Sequence, residues 1–288
     1  MKPAPFEYFD PRTADEAVAL LATHGDDAKV LAGGQSLVPM LALRLARPSV
    51  VVDVNRVSGL DTITQQGATL SIGALARQRA LERWAAERAP LLATALRHIG
   101  HAPIRARGTV AGSIAHADPA SELPALLLCL DGAVTARSGR GTRTIPAADF
   151  FHGPLMTALA ADELVTETRW TLPAAHAGWG FREMARRHGD FALVGVAVVL
   201  SVARKVVADV RIAIFGAAAT PVRAGAAERA LKGQAATDNI LAEAARLATA
   251  GLETVTDIHA PAAYRTSVAR TLTARALADA VARAKDAA

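Results

Sequence analysis

RARGTVAGSIAHADPASELP, residues 105–124, packs small residues, hydroxyls and two acids into one run. It sets Gly108, Ala111 and Gly112 beside the hydroxyls of Thr109 and Ser113 and the acids Asp118 and Glu122, between segments of helical periodicity. Small residues let main-chain N–H groups approach a phosphate or a polar ring edge closely. The hydroxyls add short donors, and the carboxylates accept from sugar-like hydroxyls. The composition reads as a ligand-cradling loop. It also fits a tight surface turn leading into a helix capped by Ser121, so by itself the stretch leaves both readings open.

Upstream, LAGGQSLVPM (31–40) supplies a second candidate contact. Lys29 to Ala32 reads as a short strand, Gly33-Gly34-Gln35-Ser36 as a turn, Leu37 to Leu45 as a helix and Val50 to Val54 as a second strand. The amides of residues 33–37 then converge where a helix begins, a position suited to a pyrophosphate. The spaced third glycine of a dinucleotide fingerprint is missing, and so is the Gly-Lys-Ser/Thr of a Walker loop. A plain strand-to-helix turn fits the doublet equally well. Before it, Thr13 to Leu21 reads as a helix with Thr13 as N-cap and Glu16 three residues on, the connection ending near Gly25.

Further along, Leu60 to Gln65 and Ala68 to Ile72 form a hairpin about Gln66-Gly67, and Leu75 to Trp84 and Pro90 to Ile99 are helical. Leu123 to Leu130 reads as a buried helix, Ala133 to Ala136 and Arg143 to Ile145 as a hairpin, and Leu164 to Leu172 as a strand. From Gly178 the texture alternates: Trp179 to Arg187, Val194 to Ala203 and Val206 to Phe215 predict an antiparallel sheet, its last two strands joined at Arg204-Lys205. On the first of these strands Phe181 and Glu183 share one face, with Phe181 towards a planar ligand, and Arg182 takes the other, towards solvent or a partner. Helices follow over 226–231, 239–250 and 262–284. The expected divisions are 1–57, 58–176 and 177–288, an α+β protein of three lobes.

Composition excludes several classes. Hydrophobic residues make up 51% of the 288, enough for buried cores, and aromatics only 4%. The net charge of +5 is scattered rather than clustered, which argues against nucleic acid. The single cysteine, Cys129, reads as a buried thiol and cannot form a disulfide framework or an iron–sulfur site within this chain. No apolar run reaches membrane-spanning length, and Pro and charges occupy the N-terminal stretch where a signal peptide needs an apolar core, so a cytoplasmic protein is expected. His98, His101, His116 and Asp118 lack the spacing of a metal site, and Ser113, His116 and Asp118 lie too close in sequence for a nucleophilic triad. No metal ligand and no catalytic side chain is expected.

Taken together, LAGGQSLVPMLALRL, IGHAPIRARGTVAGSIAHADPASELPALL, GFREMARRHGDFALVGVAV, FGAAATPVRA and DIHAPAAYR resemble the FAD-binding medium subunits of molybdenum hydroxylases, of the carbon monoxide dehydrogenase and xanthine dehydrogenase type. The resemblance covers nearly the whole chain. It implies a two-lobed flavin-binding fold of the vanillyl-alcohol-oxidase (PCMH) type, plus a C-terminal lobe of three-stranded antiparallel sheet with helices. By position, Ala32, Gly33, Gly34, Gln35, Ser36 and Leu37 correspond to a first pyrophosphate loop of a non-covalent FAD, and Thr109, Ala111, Gly112 and Ser113 to a second. Glu122 matches an acid that holds ribityl or ribose hydroxyls, and Asp118 a polar contact. Ile99 and Gly100 fall beside the isoalloxazine, Leu164 and Val165 add apolar contact, and Phe181 occupies a position often filled by tyrosine.

The family's Thr-x-Gly-Gly is Thr109-Val110-Ala111-Gly112 here, which puts a methyl where backbone approaches phosphate and demands ordinary backbone angles at Ala111, with binding expected to survive if that residue is extended. The implied role is electron relay. A large molybdenum-cofactor subunit and a small subunit with two-iron two-sulfur clusters, assembled as a dimer of heterotrimers, would supply single electrons, and reduced flavin would pass them to an external acceptor. A stand-alone FAD-dependent oxidoreductase and a scaffold that has lost FAD are the other two classes the sequence allows.

Overall fold

The computed structural model describes residues 2–284, 286 and 287, arranged around three main sheets. The first holds β1 (Glu7–Phe9), β2 (Ala28–Leu31) and β3 (Val50–Asp53) in the order β1-β3-β2, all parallel. Val50, Val51 and Val52 are all buried, as a central parallel strand covered on both faces requires. One cover is α1 (Ala14–His24), which packs Ala17, Val18 and Leu21 into the same core. The expected capping box is present: Thr13 Oγ1 accepts from Glu16 N at 3.2 Å, and the Glu16 carboxylate accepts from the Thr13 amide. The helix after the glycine doublet, α2 (Leu37–Ala42), is shorter than its sequence suggested.

The second sheet is antiparallel, β4 (Ile63–Gln66), β5 (Thr69–Gly73), β6 (Ala133–Ser138), β7 (Gly141–Pro146) and β10 (Leu164–Thr171), ordered β4-β5-β10-β6-β7. A small hairpin, β8 (Phe151–Gly153) with β9 (Met156–Thr157), lies apart from it. Five helices lie between β5 and β6: α3 (Gln78–Arg88), α4 (Pro90–Leu96), α5 (Ala102–Arg107), α6 (Val110–His116) and α7 (Glu122–Cys129). Every residue of α7 is buried. The reason is its position between two lobes, with Cys129 Sγ 3.6 Å from the carbonyls of Ala197 and Arg211 in the third sheet.

The stretch 105–124 is therefore mostly helix, not loop. Only Gly108-Thr109 and residues 117–121 connect the pieces. Pro103 fits the first turn of α5, and Thr109 caps α6 by accepting from Gly112 N at 3.0 Å. Helices α5 and α6 are each of two turns or less and carry no periodic stripe, so composition alone read them as a loop. Ala111 is helical rather than extended, and its methyl belongs to the core of the second lobe.

The third sheet is built on β11 (Gly178–Ala185), β12 (Ala192–Ala203) and β13 (Val206–Phe215), antiparallel as expected. Arg204 and Lys205 both take positive φ in the tight turn between β12 and β13. Two-residue strands extend the three: β14 (Val222–Arg223) on β13, and β15 (Asp286–Ala287) on β12. Helices α8 (Gly225–Leu231), α9 (Asp238–Thr249) and α10 (Ala262–Arg283) cover one face. At Gly178 and Gly180 a Cβ would collide with the carbonyls of Ala280 and Ala276, so glycine is what lets α10 lie this close to β11. Arg182 is on the exposed side as expected, its side chain 47% exposed, and its guanidinium pairs with both oxygens of Asp279 on α10, at 2.7 and 2.9 Å.

Candidate functional site

The two glycine-bearing segments that sequence set 75 residues apart meet back to back. Gly33 is buried, and a Cβ on it would stand 2.5 Å from Arg107 O, 2.7 Å from Gly108 Cα and 2.9 Å from Thr109 N. Backbone therefore packs on backbone at this point. Gly34 adopts φ +74°, where other residues are strained, and so turns the chain into α2.

A line of hydrogen bonds ties the same two segments from behind. Asn55 Nδ2 donates to Ala32 O at 2.7 Å, and Asn55 Oδ1 accepts from Arg77 Nη2 at 2.7 Å. Arg77 Nη1 in turn donates to Arg107 O at 2.5 Å. Asp53 anchors the line, accepting from the Asn55 amide at 2.9 Å and from Tyr8 OH at 2.7 Å. Burial alone would raise the Asp53 carboxyl, but these hydrogen bonds outweigh it and hold Asp53 below the usual carboxylate range. Burial, followed by the neighbouring Arg107, pulls Arg77 down. Gln78 N accepts no role in the line but fixes its end, donating to Gly108 O at 2.9 Å.

From this cradle α5 leads back to Ile99 and Gly100. Arg105 is buried; its Nη1 donates to Ile99 O at 2.9 Å and Gly100 O at 3.2 Å, while Nε pairs with Glu82 at 3.0 Å. The turn after β11 folds over the same point: a Cβ on Gly189 would lie 2.9 Å from His101 Cε1 and 3.2 Å from Gly100 O. His98 contacts Phe181 at 5.1 Å between ring centroids and stacks with His188 at 6.2 Å. Beside these rings are two buried carboxyls. Glu183 Oε2 has no hydrogen-bond partner and lies 3.6 Å from His98 Nδ1. Glu122 is 6% exposed at the start of α7; burial first, then the charges of Glu183 and Asp118, push it up to about 8.

Of the residues singled out by sequence, Ala32, Gly33 and Thr109 meet in the cradle and Ile99 and Gly100 are bonded to Arg105, while Asp118 follows the end of α6 and Glu122 opens α7. Phe181 is an interior ring, stacked on Phe215 at 6.0 Å. Leu164 lies in the core of the first lobe and Val165 in that of the second. Asn55, Arg77 and Arg105 were missed, because each acts through main-chain carbonyls distant in sequence. Phe191 was missed too. It is 67% exposed and, with Arg186 and Arg187, lines a cavity of about 980 Å³ that Asp118 and Arg265 also border.

Residues 4–173 match the family described as the FAD binding domain in molybdopterin dehydrogenase, and residues 179–280 the CO dehydrogenase flavoprotein C-terminal domain. The chain belongs to that family. It is an FAD-binding medium subunit of the molybdenum hydroxylases. The nicotine 6-hydroxylase medium subunit of Paenarthrobacter nicotinovorans is 42% identical over 98% of this chain and 100% of its own. The carbon monoxide dehydrogenase medium chain of Hydrogenophaga pseudoflava is 39% identical over 96% and 97%. Among solved structures, carbon monoxide dehydrogenase from Hydrogenophaga pseudoflava lacking the Mo-pyranopterin moiety superposes with a TM-score of 0.96 at 41% identity, covering 99% of this chain and 100% of that one. Quinoline 2-oxidoreductase from Pseudomonas putida 86 gives 0.92 at 38%, covering 98% and 99%.

The residues of this medium subunit fit FAD. A Cβ on Gly33 would fill the space against the backbone of residues 107–109, so glycine is what lets the two segments close into one cradle narrow enough for main chain to meet a pyrophosphate. The buried Glu183 Oε2 is an acceptor without a donor, and the buried Glu122 carboxyl lies at the start of α7; the hydroxyls and ring N–H of FAD are donors of the kind such groups need.

Proposed function

We propose that this medium subunit is the electron-transfer flavoprotein of a molybdenum-containing hydroxylase, taking single electrons from the iron–sulfur clusters of a partner chain and passing them on to an external acceptor. The observation that carries the reading is the seating of Gly33 on Arg107–Thr109, which makes one cradle of two segments. Ala32–Leu37 and Thr109–Ser113 would hold the pyrophosphate through main-chain N–H groups, Thr109 and Ser113 adding hydroxyls. Glu122 and Asp118 would accept from the FAD hydroxyls. Ile99 and Gly100, fixed by Arg105, would border the ring, with Phe181, Leu164 and Val165 packing the wall behind it. When bound, FAD supplies the exchange between one-electron and two-electron transfer, and this chain's task is to hold and tune it.

The single cysteine supports placing the clusters elsewhere. The partners are a large molybdenum-cofactor subunit and a small two-iron two-sulfur subunit, as a dimer of heterotrimers in the cytoplasm, with chain divisions at 57 and 176. No helix among the described residues is long and apolar enough to cross a membrane.

Relatives named for nicotine, quinoline and carbon monoxide give the panel for a test. The co-purified complex and the isolated, FAD-loaded chain are each mixed anaerobically with these compounds and the flavin absorbance is followed. Bleaching by a substrate in the complex alone, with dithionite bleaching both, is the expected result. Turnover by the isolated chain would contradict the relay and favour a self-sufficient oxidoreductase.

A further inference from the structure

Arg265, near the start of α10, joins segments that lie far apart in sequence. It is 3% exposed. Its Nη1 donates to Leu193 O at 2.6 Å and to Gly216 O at 2.7 Å, and its Nη2 to Asp257 Oδ2 at 2.6 Å. Both carbonyls lie outside the strand ladder. The register between β11 and β12 steps from Met184–Val194 to Ala185–Ala192, so Leu193 is a bulged residue that opposes nothing on β11. Gly216 follows the last residue of β13 and turns away at φ +72°, bringing the two together: a Cβ on it would stand 2.8 Å from Leu193 O. Carbonyls outside a ladder need other donors, and one planar guanidinium serves both. Its Nε is buried and meets no acceptor among the described residues, so the three Nη bonds are what hold the side chain here.

Each bridged carbonyl belongs to a segment that reaches the proposed flavin site. Leu193 ends the turn after β11, whose Gly189 lies against Gly100: a Cβ there would be 3.2 Å from Gly100 O. Gly216 N donates to Pro119 O at 2.8 Å, in the connection that carries Asp118 and leads to Glu122. Asp118, Pro119, Gly189, Leu193, Gly216 and Arg265 all border the cavity of about 980 Å³. The base of the bridge is firm, since α10 packs backbone against β11 at Gly178 and Gly180. Asp257 only steadies the far end of the guanidinium. Its side chain is 42% exposed, and its Oδ1 accepts from the His259 and Ala260 amides at 2.8 and 3.0 Å.

We propose that Arg265 is a positioning residue for the flavin: by bridging Leu193 O and Gly216 O it holds the 186–193 turn and the Pro119 connection together as one wall of the ring site. This rests on the FAD reading above. Arg265→Lys keeps a cation for Asp257 but lacks the planar fork that spans both carbonyls. Asp257→Asn leaves the bridge in place.

The test compares both variants with the wild type as full chains loaded with FAD. The visible circular dichroism of bound flavin reports how firmly its surroundings fix the ring, and far-UV circular dichroism reports folding. Arg265→Lys should weaken the visible band with the far-UV signal unchanged, and release FAD about tenfold faster. Asp257→Asn should match the wild type in both. A wild-type band and release rate in Arg265→Lys would overturn the proposal, and so would an equal loss in Asp257→Asn, because the ion pair rather than the bridge would then be what matters. Should Arg265→Lys lose FAD altogether, trypsin decides on the apo chains. Arg186 and Arg187 are exposed on the turn; faster cleavage there than in the wild type supports the bridge, and equal rates overturn it. Should that variant not fold, the wild type decides: resistance at these two arginines supports a pinned turn, and prompt cleavage there overturns it. A wild-type chain that never takes up FAD removes the flavin reading, while the trypsin comparison, which needs no cofactor, still tests the bridge.

Discussion

Asn55 joins the two halves of the cradle: its Nδ2 donates to Ala32 O at 2.7 Å while its Oδ1 accepts from Arg77, which holds Arg107 O. Asn55→Ala removes both bonds and strands a part-buried guanidinium. Losing such a partner costs about 1–3 kcal/mol. We expect FAD affinity to fall by about tenfold or more, measured by fluorescence titration, with far-UV circular dichroism unchanged.

Gly33→Ala tests the close approach directly. The added methyl would meet the backbone of residues 107–109, and backbone cannot yield as a side-chain tip does. FAD retention through gel filtration should be lost. Gly139→Ala, where a Cβ meets nothing within 4 Å, should leave it intact.

Ala111→Gly restores the family's second glycine and should gain nothing. Ala111 is 2% exposed inside α6, with its methyl in the core. Glycine in a helix costs about 1 kcal/mol, and the lost methyl adds about as much again. A lower urea midpoint with an unchanged FAD dissociation constant is the expected outcome.

Glu122 gives the apo chain a pH signature. Below its ordinary 4.5 the carboxyl is protonated in the folded and the unfolded chain alike. Between 4.5 and about 8 the unfolded chain releases the proton and the folded chain keeps it, so stability falls as pH rises; above that the penalty is constant. Melting temperatures of wild type and Glu122→Gln taken from pH 5 to 9 should diverge, with the variant increasingly the more stable.

The regular elements were legible because their signals are local. Thr13 and Glu16 write a capping box, Val50–Val52 a buried strand, and the β12–β13 pair an alternation broken only at Arg204-Lys205. The helices of 102–116 were not, since Gly, Ala, Ser and His in runs of six or seven residues have loop composition and no stripe. The glycine doublet pointed to the cradle, but nothing near Asn55, Arg77 or Arg105 announces a bond to a carbonyl on another element. Strand alternation put Phe181 and Glu183 on one face, and His98 contacts both. It could not tell that Phe181 is interior while Phe191, ten residues on, is the exposed ring.

Whether this chain holds FAD is read from the visible spectrum of the full chain, titrated with FAD, passed through gel filtration and then denatured. One releasable FAD per chain, bleached by dithionite, is the predicted result. A chain that stays colourless after reconstitution, both alone and in the co-purified complex, would contradict it.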